Sequence, residues 1–540
     1  MTACEPAGTV SDETFADLWR RAAAAHRAQP FLLFEARDGQ VSTWTYGEID
    51  DRDDRAADAL RRWGVQRGDP VHLALANSPA FVVLWLAVAR LGAWMVPADP
   101  HATSRDLALQ MNRVHPVVGV CSARREGVYR DAAPDDLTVV VLEETADDLA
   151  EDAPLMSAPT LVEPSPQACP TDRLAVMWTS GTTSAPKGVI LTQSNYAHVA
   201  RVMAQAVSLS RQHRWLVALP LFHANAQYYC FASAIHVGAS VALTATFSAS
   251  RWVESARALS VTHASLFAAP VRMILARTPS GTPPLALTHV WFAQNLGAGH
   301  YREFSQLVGT LPRQLYGMTE TVAIVTADDG DPARHDVIGR PVAGRVVGLI
   351  DPATGLEPTP GEPGMITVLG RRGVDLFAGY LDDPMTTERS IIVEGDREWF
   401  STGDIATRDE TGRLHFVGRV DDVIKVSGEN VSLTEVEAIL AQAPGVLEVA
   451  VVARPDPVRD HVPVAFVVPR DRHAPPNLEM LSAWASEELS PASRPREWIL
   501  IEELPRTSVG KVRRFALDTA PTVATGQVTG GTAEDTQRPS

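Results

Sequence analysis

The stretch Leu174–Asn195 reads LAVMWTSGTTSAPKGVILTQSN. An apolar strand runs into Thr179-Ser180-Gly181-Thr182-Thr183-Ser184-Ala185-Pro186-Lys187-Gly188, which concentrates backbone N–H groups, hydroxyls and one ammonium. Glycine lets a backbone approach a ligand closely, and so many donors can surround phosphate oxygens. The loop is not a Walker A motif, because Pro186 stands where that motif needs a second glycine before the lysine. A Ser/Thr-rich surface turn is the plain alternative. The strand before the loop and a helix-forming segment after it favour the phosphate reading.

Five other groups have types that could act on such a ligand, each with a plain reading beside it. Tyr316-Gly317-Met318-Thr319-Glu320 is, alone, a turn with a flanking acid. Asp404, after Gly403, is alone a turn or cap residue. Arg419 and the acids Asp421 and Asp422 precede a strand and read as a solvated turn. Lys511 follows Gly510 as an ordinary surface-loop lysine would. His223 follows Phe222 in an apolar run, the usual setting of a satisfied core histidine.

The elements that must hold these residues alternate. Thr45 and Glu48 form a capping box before Ala56, Ala57, Leu60 and Trp63 at helical spacing. A strand is expected at Val71 to Leu75, a buried helix from Ala80 to Ala89, and another strand at Ala93 to Pro97. Short apolar runs return at Val139 to Leu142, Leu174 to Trp178 and Trp215 to Ala218. This rhythm predicts an α/β fold with a large layered N-terminal domain over 1–420. Glu143 to Pro170, acidic and proline-rich, reads as a surface connection. Past 420 the texture changes. Ser432 and Glu435 form a second box opening a helix, strands follow at Leu447 to Ala453 and Val464 to Val468, and a helix lies near Leu481 to Glu488. That predicts a small C-terminal α+β domain over 421–518 and a disordered tail over 519–540.

Composition bounds the rest. The 540 residues carry a net charge of −17 and are 45% hydrophobic, which excludes a disordered or fibrous chain. So acidic a chain argues against nucleic-acid binding. Cys4, Cys121, Cys169 and Cys230 lie far apart with no zinc or disulfide spacing, so a reducing, cytoplasmic setting is expected. The N-terminus lacks a secretory pattern, and the Ala80–Ala89 run is too short to span a bilayer.

The loop at 179–188, with the other motifs in the same order from about residue 15 to 515, resembles the adenylate-forming superfamily of acyl-CoA synthetases, adenylation domains and luciferases. The resemblance implies ATP, Mg²⁺ and coenzyme A as reactants and cofactor, with a small-molecule carboxylic acid as substrate. It implies that Thr179, Ser180, Gly181, Thr182, Thr183 and Lys187 hold phosphate, and that Tyr316 and Gly317 lie against adenine. Thr319 would bind phosphate and Glu320 Mg²⁺; a π face suits a purine and a hard carboxylate suits Mg²⁺. Asp404 would accept from the ribose hydroxyls and Arg419 touch the nucleotide. Asp421 would be the hinge, Ser427, Gly428, Glu429 and Asn430 the coenzyme A path, and Lys511 the catalytic lysine bridging carboxylate and α-phosphate. His223 would gate the acyl pocket, with Asn225, Gln227, Tyr228, Ala269, Asn295 and Met318 around it.

The segments Phe222 to Gln227 and Trp291 to Phe304 look most like the crotonobetaine/carnitine-CoA ligase branch. Ala293-Gln294-Asn295-Leu296-Gly297-Ala298 departs from the usual turn beside adenine. Amino-acid-activating relatives place an Asp after the Phe of the first segment, where this chain has His223. An unpaired ammonium in an apolar pocket is costly, so α-amino acids are disfavoured and a small functionalised acid is expected. The alternative keeps adenylation but delivers the acyl group to a carrier protein or an amine.

Overall fold

The computed structural model describes residues 13–157, 167–179, 186–352, 354–427, 429–506, 512–519 and 522–527. Its contacts divide the described chain into two compact units, one formed mainly by residues up to Thr402, the other by Gly403–Thr407 and the residues from Phe416 on. The expected alternation of short apolar runs and capped helices is what builds the first. Thr45 accepts from the Glu48 N–H and Glu48 returns to the Thr45 N–H, closing the box that starts the helix Tyr46–Arg62. Ser78 caps the helix Pro79–Leu91, Pro79 opens it, and Gly92 ends it at φ 65°. All of that helix but Arg90 is buried. No helix of the described residues is long and apolar enough to cross a membrane.

The two largest sheets lie in the first unit. Strands Pro70–Ala74, Trp94–Pro97, Val118–Ser122, Thr138–Leu142 and Arg173–Thr179 run parallel in one seven-stranded sheet, completed by antiparallel Lys187–Thr192 and Gly379–Tyr380. A nine-stranded sheet is built on parallel Ser240–Thr244, Arg214–Val217, His263–Phe267, His289–Ala293 and Arg313–Tyr316. Here one expectation needs correction. The segment after the glycine-rich loop is first a strand, Lys187–Thr192, and only then the helix Gln193–Ala206. The residues on either side of the loop therefore belong to two antiparallel strands, paired up to Thr179 and Lys187. Val189, Ile190 and Leu191 favour the strand, and Gly188 packs so tightly that a Cβ would lie 3.0 Å from Val176 and 3.1 Å from Leu381. Thr192 then caps the helix, accepting from Asn195 N–H at 3.1 Å.

The second unit wraps a sheet between two apolar clusters. Successive residues of the strand Asp460–Pro469 alternate between them: Ala465 and Val467 face Val436, Leu440 and Leu481, while Val464, Phe466 and Val468 face Ile499, Ile501 and Leu517. Ser432 caps the helix Leu433–Leu440, accepting from Glu435 N–H and donating to Val417 O at 2.6 Å. A second correction falls in the expected tail. Thr522–Gln527 forms a strand antiparallel to Glu497–Ile501. Thr522, Val523 and Thr525 are β-branched, which suits pleated backbone, and low hydrophobicity alone did not reveal it. Residues 528–540 lie outside the described set. Cys121, Cys169 and Cys230 are free thiols.

Two core histidines give the first unit a pH dependence. Burial holds His72 near a pKa of about 4, and burial with the neighbouring His213 does the same for His263. His263 packs between His213 and His289, with ring centroids 4.5 and 5.8 Å away. In the unfolded chain both take up a proton near pH 6.5. Below that pH the unfolded state binds more protons, so stability falls as pH drops from 6.5 towards 4. Each contributes up to about 1.4 kcal/mol per pH unit. Urea unfolding between pH 7.5 and 5 is expected to show this slope, and His263→Phe to flatten it by one such share.

Candidate active site

The hairpin delivers its functional residues by register. Thr179 pairs with Lys187 and Trp178 with Gly188, so the strand ends meet across the base of the loop. Ser180, Gly181, Thr182 and Thr183 lie outside the described residues. Arg113 holds the base, donating to Leu381 O at 2.6 Å and lying 4.9 Å from the Trp178 ring. The Lys187 ammonium lies 5.1 Å from the centre of the Tyr380 ring, a cation–π contact. Tyr380 in turn donates its phenol to Glu320 Oε1 at 3.0 Å. Three separate segments thus bring a cation, a phenol and a carboxylate together.

Glu320 sits in a short 3-10 turn, Thr319–Thr321, that leaves the strand Arg313–Tyr316. Its carbonyl accepts from Phe377 N–H at 2.9 Å, and its side chain belongs to a residue only 5% exposed. The Thr321 hydroxyl accepts from Met318 N–H at 3.0 Å. Gly317 is packed closely, with Ile324 Cα and the Tyr229 phenol each 3.2 Å from where a Cβ would stand. Tyr316 is nearly buried. No group of three metal-ligating side chains exists among the described residues. One buried carboxylate fits Mg²⁺, which takes one or two protein carboxylates and fills its octahedron with phosphate oxygens and water. Glu320 would hold it, and it would neutralise phosphate charge there.

The expected acyl-pocket residues are spread over several elements. Asn77 organises the first of them: its amide donates to Leu219 O and Thr244 O at 3.1 Å each and accepts from Leu221 N–H at 2.8 Å. His223, half-buried, packs against Phe222 with centroids 4.3 Å apart. Asn225–Ala232 is a π-helix, a rare form that recurs at functional sites. Within it Asn225 donates to Ser265 Oγ at 3.0 Å. Gln227 donates to Leu221 O and accepts from the Tyr196 phenol, both at 2.6 Å, so its amide is committed inside the protein. The Tyr228 hydroxyl is buried with no hydrogen-bond partner among the described residues. Ala269 is buried at the start of the helix Ala268–Arg277, Asn295 is exposed and Met318 half-buried.

The second unit holds the other motif residues. Asp404, buried on the strand Arg397–Arg408, pairs with Arg419 at 3.1 Å. Gly403 stands at φ 74°, and a Cβ there would meet the Arg419 guanidinium at 3.2 Å. Asp421 lies in a 3-10 turn, Val420–Asp422. Its neighbour Asp422 pairs with Arg514 at 3.0 Å, and Arg514 also pairs with Glu437 at 2.8 Å. Burial pushes the Glu437 carboxyl up while Arg514 pulls it down. Ser427, at φ 51°, begins the turn of the hairpin Val423–Val426 with Glu429–Ser432; Ser427 and Glu429 are exposed, and Gly428 and the Asn430 side chain lie outside the description. Lys511 does too, with residues 507–510 before it. Arg506 and Val512 form an antiparallel bridge, and Arg506 pairs with Glu448 at 2.5 Å.

Tyr380, Arg113, Asn77 and Arg514 were missed in the sequence. None of the four carries a local signal of its role, because each acts through a partner distant in the chain.

The chain matches the family model of the AMP-binding enzyme over residues 19–381 and that of the AMP-binding enzyme C-terminal domain over 435–511. It is 28% identical to a crotonobetaine/carnitine–CoA ligase of Salmonella arizonae over 513 residues, 93% of this chain and 98% of that one. Among solved structures it resembles ATP-bound MatB from Rhodopseudomonas palustris, with a TM-score of 0.80 and 26% identity over 93% of this chain and 98% of that one. The anthranilate CoA ligase AuaEII in complex with anthranoyl-AMP shares the fold, with a TM-score of 0.83 at 23% identity over 95% and 98% of the two chains.

Proposed function

Because the chain belongs to the AMP-binding enzyme family, we propose that it is an ATP-dependent acyl-CoA ligase that activates a carboxylic acid as its adenylate. The observation that carries this reading is the meeting of Lys187, Tyr380 and Glu320 at the base of the hairpin. A cation and a carboxylate held by one phenol suit a triphosphate with its divalent ion better than they suit a neutral ligand. Coenzyme A as acceptor follows the CoA ligases that the chain resembles along almost its whole length.

In this reading the acid's carboxylate oxygen attacks the α-phosphorus, a P–O bond forms, and pyrophosphate leaves with the electrons of the bond that breaks. Lys187 and the loop hydroxyls hold the phosphates, and Lys511 draws the two anions together. Catalysis is then positioning and charge neutralisation. The coenzyme A thiol next attacks the acyl carbon, and AMP is the leaving group, so no side-chain nucleophile is required. Asp404 holds the ribose hydroxyls and Arg419 the nucleotide. Asp421 is the hinge, and the Ser427–Asn430 turn lines the thiol's path.

We expect His223, Asn225 and the Tyr228 hydroxyl to give the acyl pocket a polar share. The preferred substrate is a small functionalised acid. Mass spectrometry of the adenylate formed from a mixed acid library and MgATP tests this, followed by coenzyme A to read the thioester. Absence of any adenylate would refute the activity, and a clear preference for long unbranched fatty acids would refute the substrate class.

A further inference from the structure

Val322, the second residue after Glu320, stands at φ 65° and ψ −69°. Ala323 N–H donates to Thr321 O at 2.7 Å across it. Together these make a γ-turn of the rare positive-φ kind, strained for any β-branched residue. Val322 is fully buried, so water cannot relieve the turn. Such strain persists only where the surroundings over-determine it.

The surroundings here centre on Arg345. Its guanidinium donates to Thr321 O, the carbonyl that closes the γ-turn, and to Asp375 O at 2.7 Å. Its side chain is 2% exposed, and the Asp375 carboxylate lies 4.0 Å away. The same loop, two residues on, sends Phe377 N–H to Glu320 O at 2.9 Å. One loop therefore holds the turn at Glu320 directly and at Thr321 through Arg345. The planar fork presents two N–H groups to the two carbonyls in a fixed geometry, which an ammonium on a flexible stem does not hold.

We infer that Arg345 is a positioning residue for adenylate formation: by tying the strained Thr321–Ala323 turn to the 371–377 loop, it aims the Glu320 carboxylate. The inference rests on the role given to Glu320 above.

Two measurements judge it. In the protein without nucleotide, hydrogen exchange of peptides spanning 316–327 reads the turn alone. Arg345→Met and Arg345→Lys are both expected to speed it, and adding Val322→Gly, which accepts positive φ without strain, to slow it again. In pyrophosphate exchange, both Arg345 variants are expected to need about tenfold more Mg²⁺ for half-maximal rate, the loss of one charge-assisted hydrogen bond's worth of order. The double variants should recover most of that shift. Unchanged exchange and unchanged Mg²⁺ dependence in Arg345→Lys would overturn the inference, as would a Mg²⁺ shift that Val322→Gly leaves in place. A wild-type protein that forms no adenylate would instead refute the ligase reading, and the exchange data would still decide whether Arg345 holds the turn.

Discussion

Replacing Lys511 by alanine is expected to slow adenylate formation by about 10²- to 10³-fold, the usual loss for one group aimed at developing charge, and to leave thioester formation from supplied acyl-AMP largely intact. The asymmetry is the point. Only the first half-reaction brings two anions, a carboxylate and a phosphate, into contact, so only there does one ammonium reduce their repulsion. The described residues on either side of Lys511 are held by the Arg506–Val512 bridge, by Arg506 on Glu448, and by Arg514 between Asp422 and Glu437. The substitution should therefore remove charge without loosening the base of the loop. Pyrophosphate exchange measures the first step, and consumption of synthetic acyl-AMP by coenzyme A measures the second. Equal losses in both would contradict the role, because they would mean that the lysine shapes the unit and not the chemistry.

What the sequence made legible was local. The Thr45 box, the Ser78–Gly92 helix and the short strands each carry their signal within a few residues, through caps and apolar period. The hairpin strand after the phosphate loop was hidden because a helix N-cap, Thr192, follows it at once and both segments are apolar. The site's supporting residues were hidden for a different reason. Tyr380 stands 60 residues from Glu320, and Arg345 is 24 from Thr321. Nothing local distinguishes a tyrosine that holds a carboxylate from one that fills space. Gln227 shows the converse. Its position suggested the pocket, yet its amide faces Tyr196 and Leu221. Whether a polar side chain meets a ligand is decided by which long-range bonds it has already made, and those exist only in the fold.

The same long-range logic makes Arg90 the residue whose loss should most damage stability. Asp53 is wholly buried on the helix Tyr46–Arg62 and accepts from the Trp19 indole and from Arg90, the latter at 2.5 Å. Arg90 also reaches Asp50 and Asp54, each at 2.8 Å. Arg90→Met keeps most of the stem and removes the cation, leaving a buried carboxylate beside two others. Breaking a buried pair in this way costs about 3–5 kcal/mol, read as a lower urea midpoint with unchanged slope. Burial already pushes Asp53 up to about 7 against the pull of Arg90, and without Arg90 it rises further. A carboxyl whose folded value exceeds its unfolded value binds its proton more readily in the native state. The variant's deficit relative to wild type should therefore shrink as pH falls from about 9 towards about 7 and level off below that, where Asp53 is protonated in both proteins, and adding Asp53→Asn should recover most of the pH-dependent part at about pH 9. A deficit that grows on acidification would show that the carboxylate, not its missing cation, was the stabilising member. The consequence reaches the site, because the preceding residue, Ala89, accepts from Gln193 at 2.9 Å, and Gln193 begins the helix that the phosphate hairpin feeds. Loosening the end of the Pro79–Leu91 helix should therefore speed hydrogen exchange first in the opening turn of that following helix, ahead of the strands beside it.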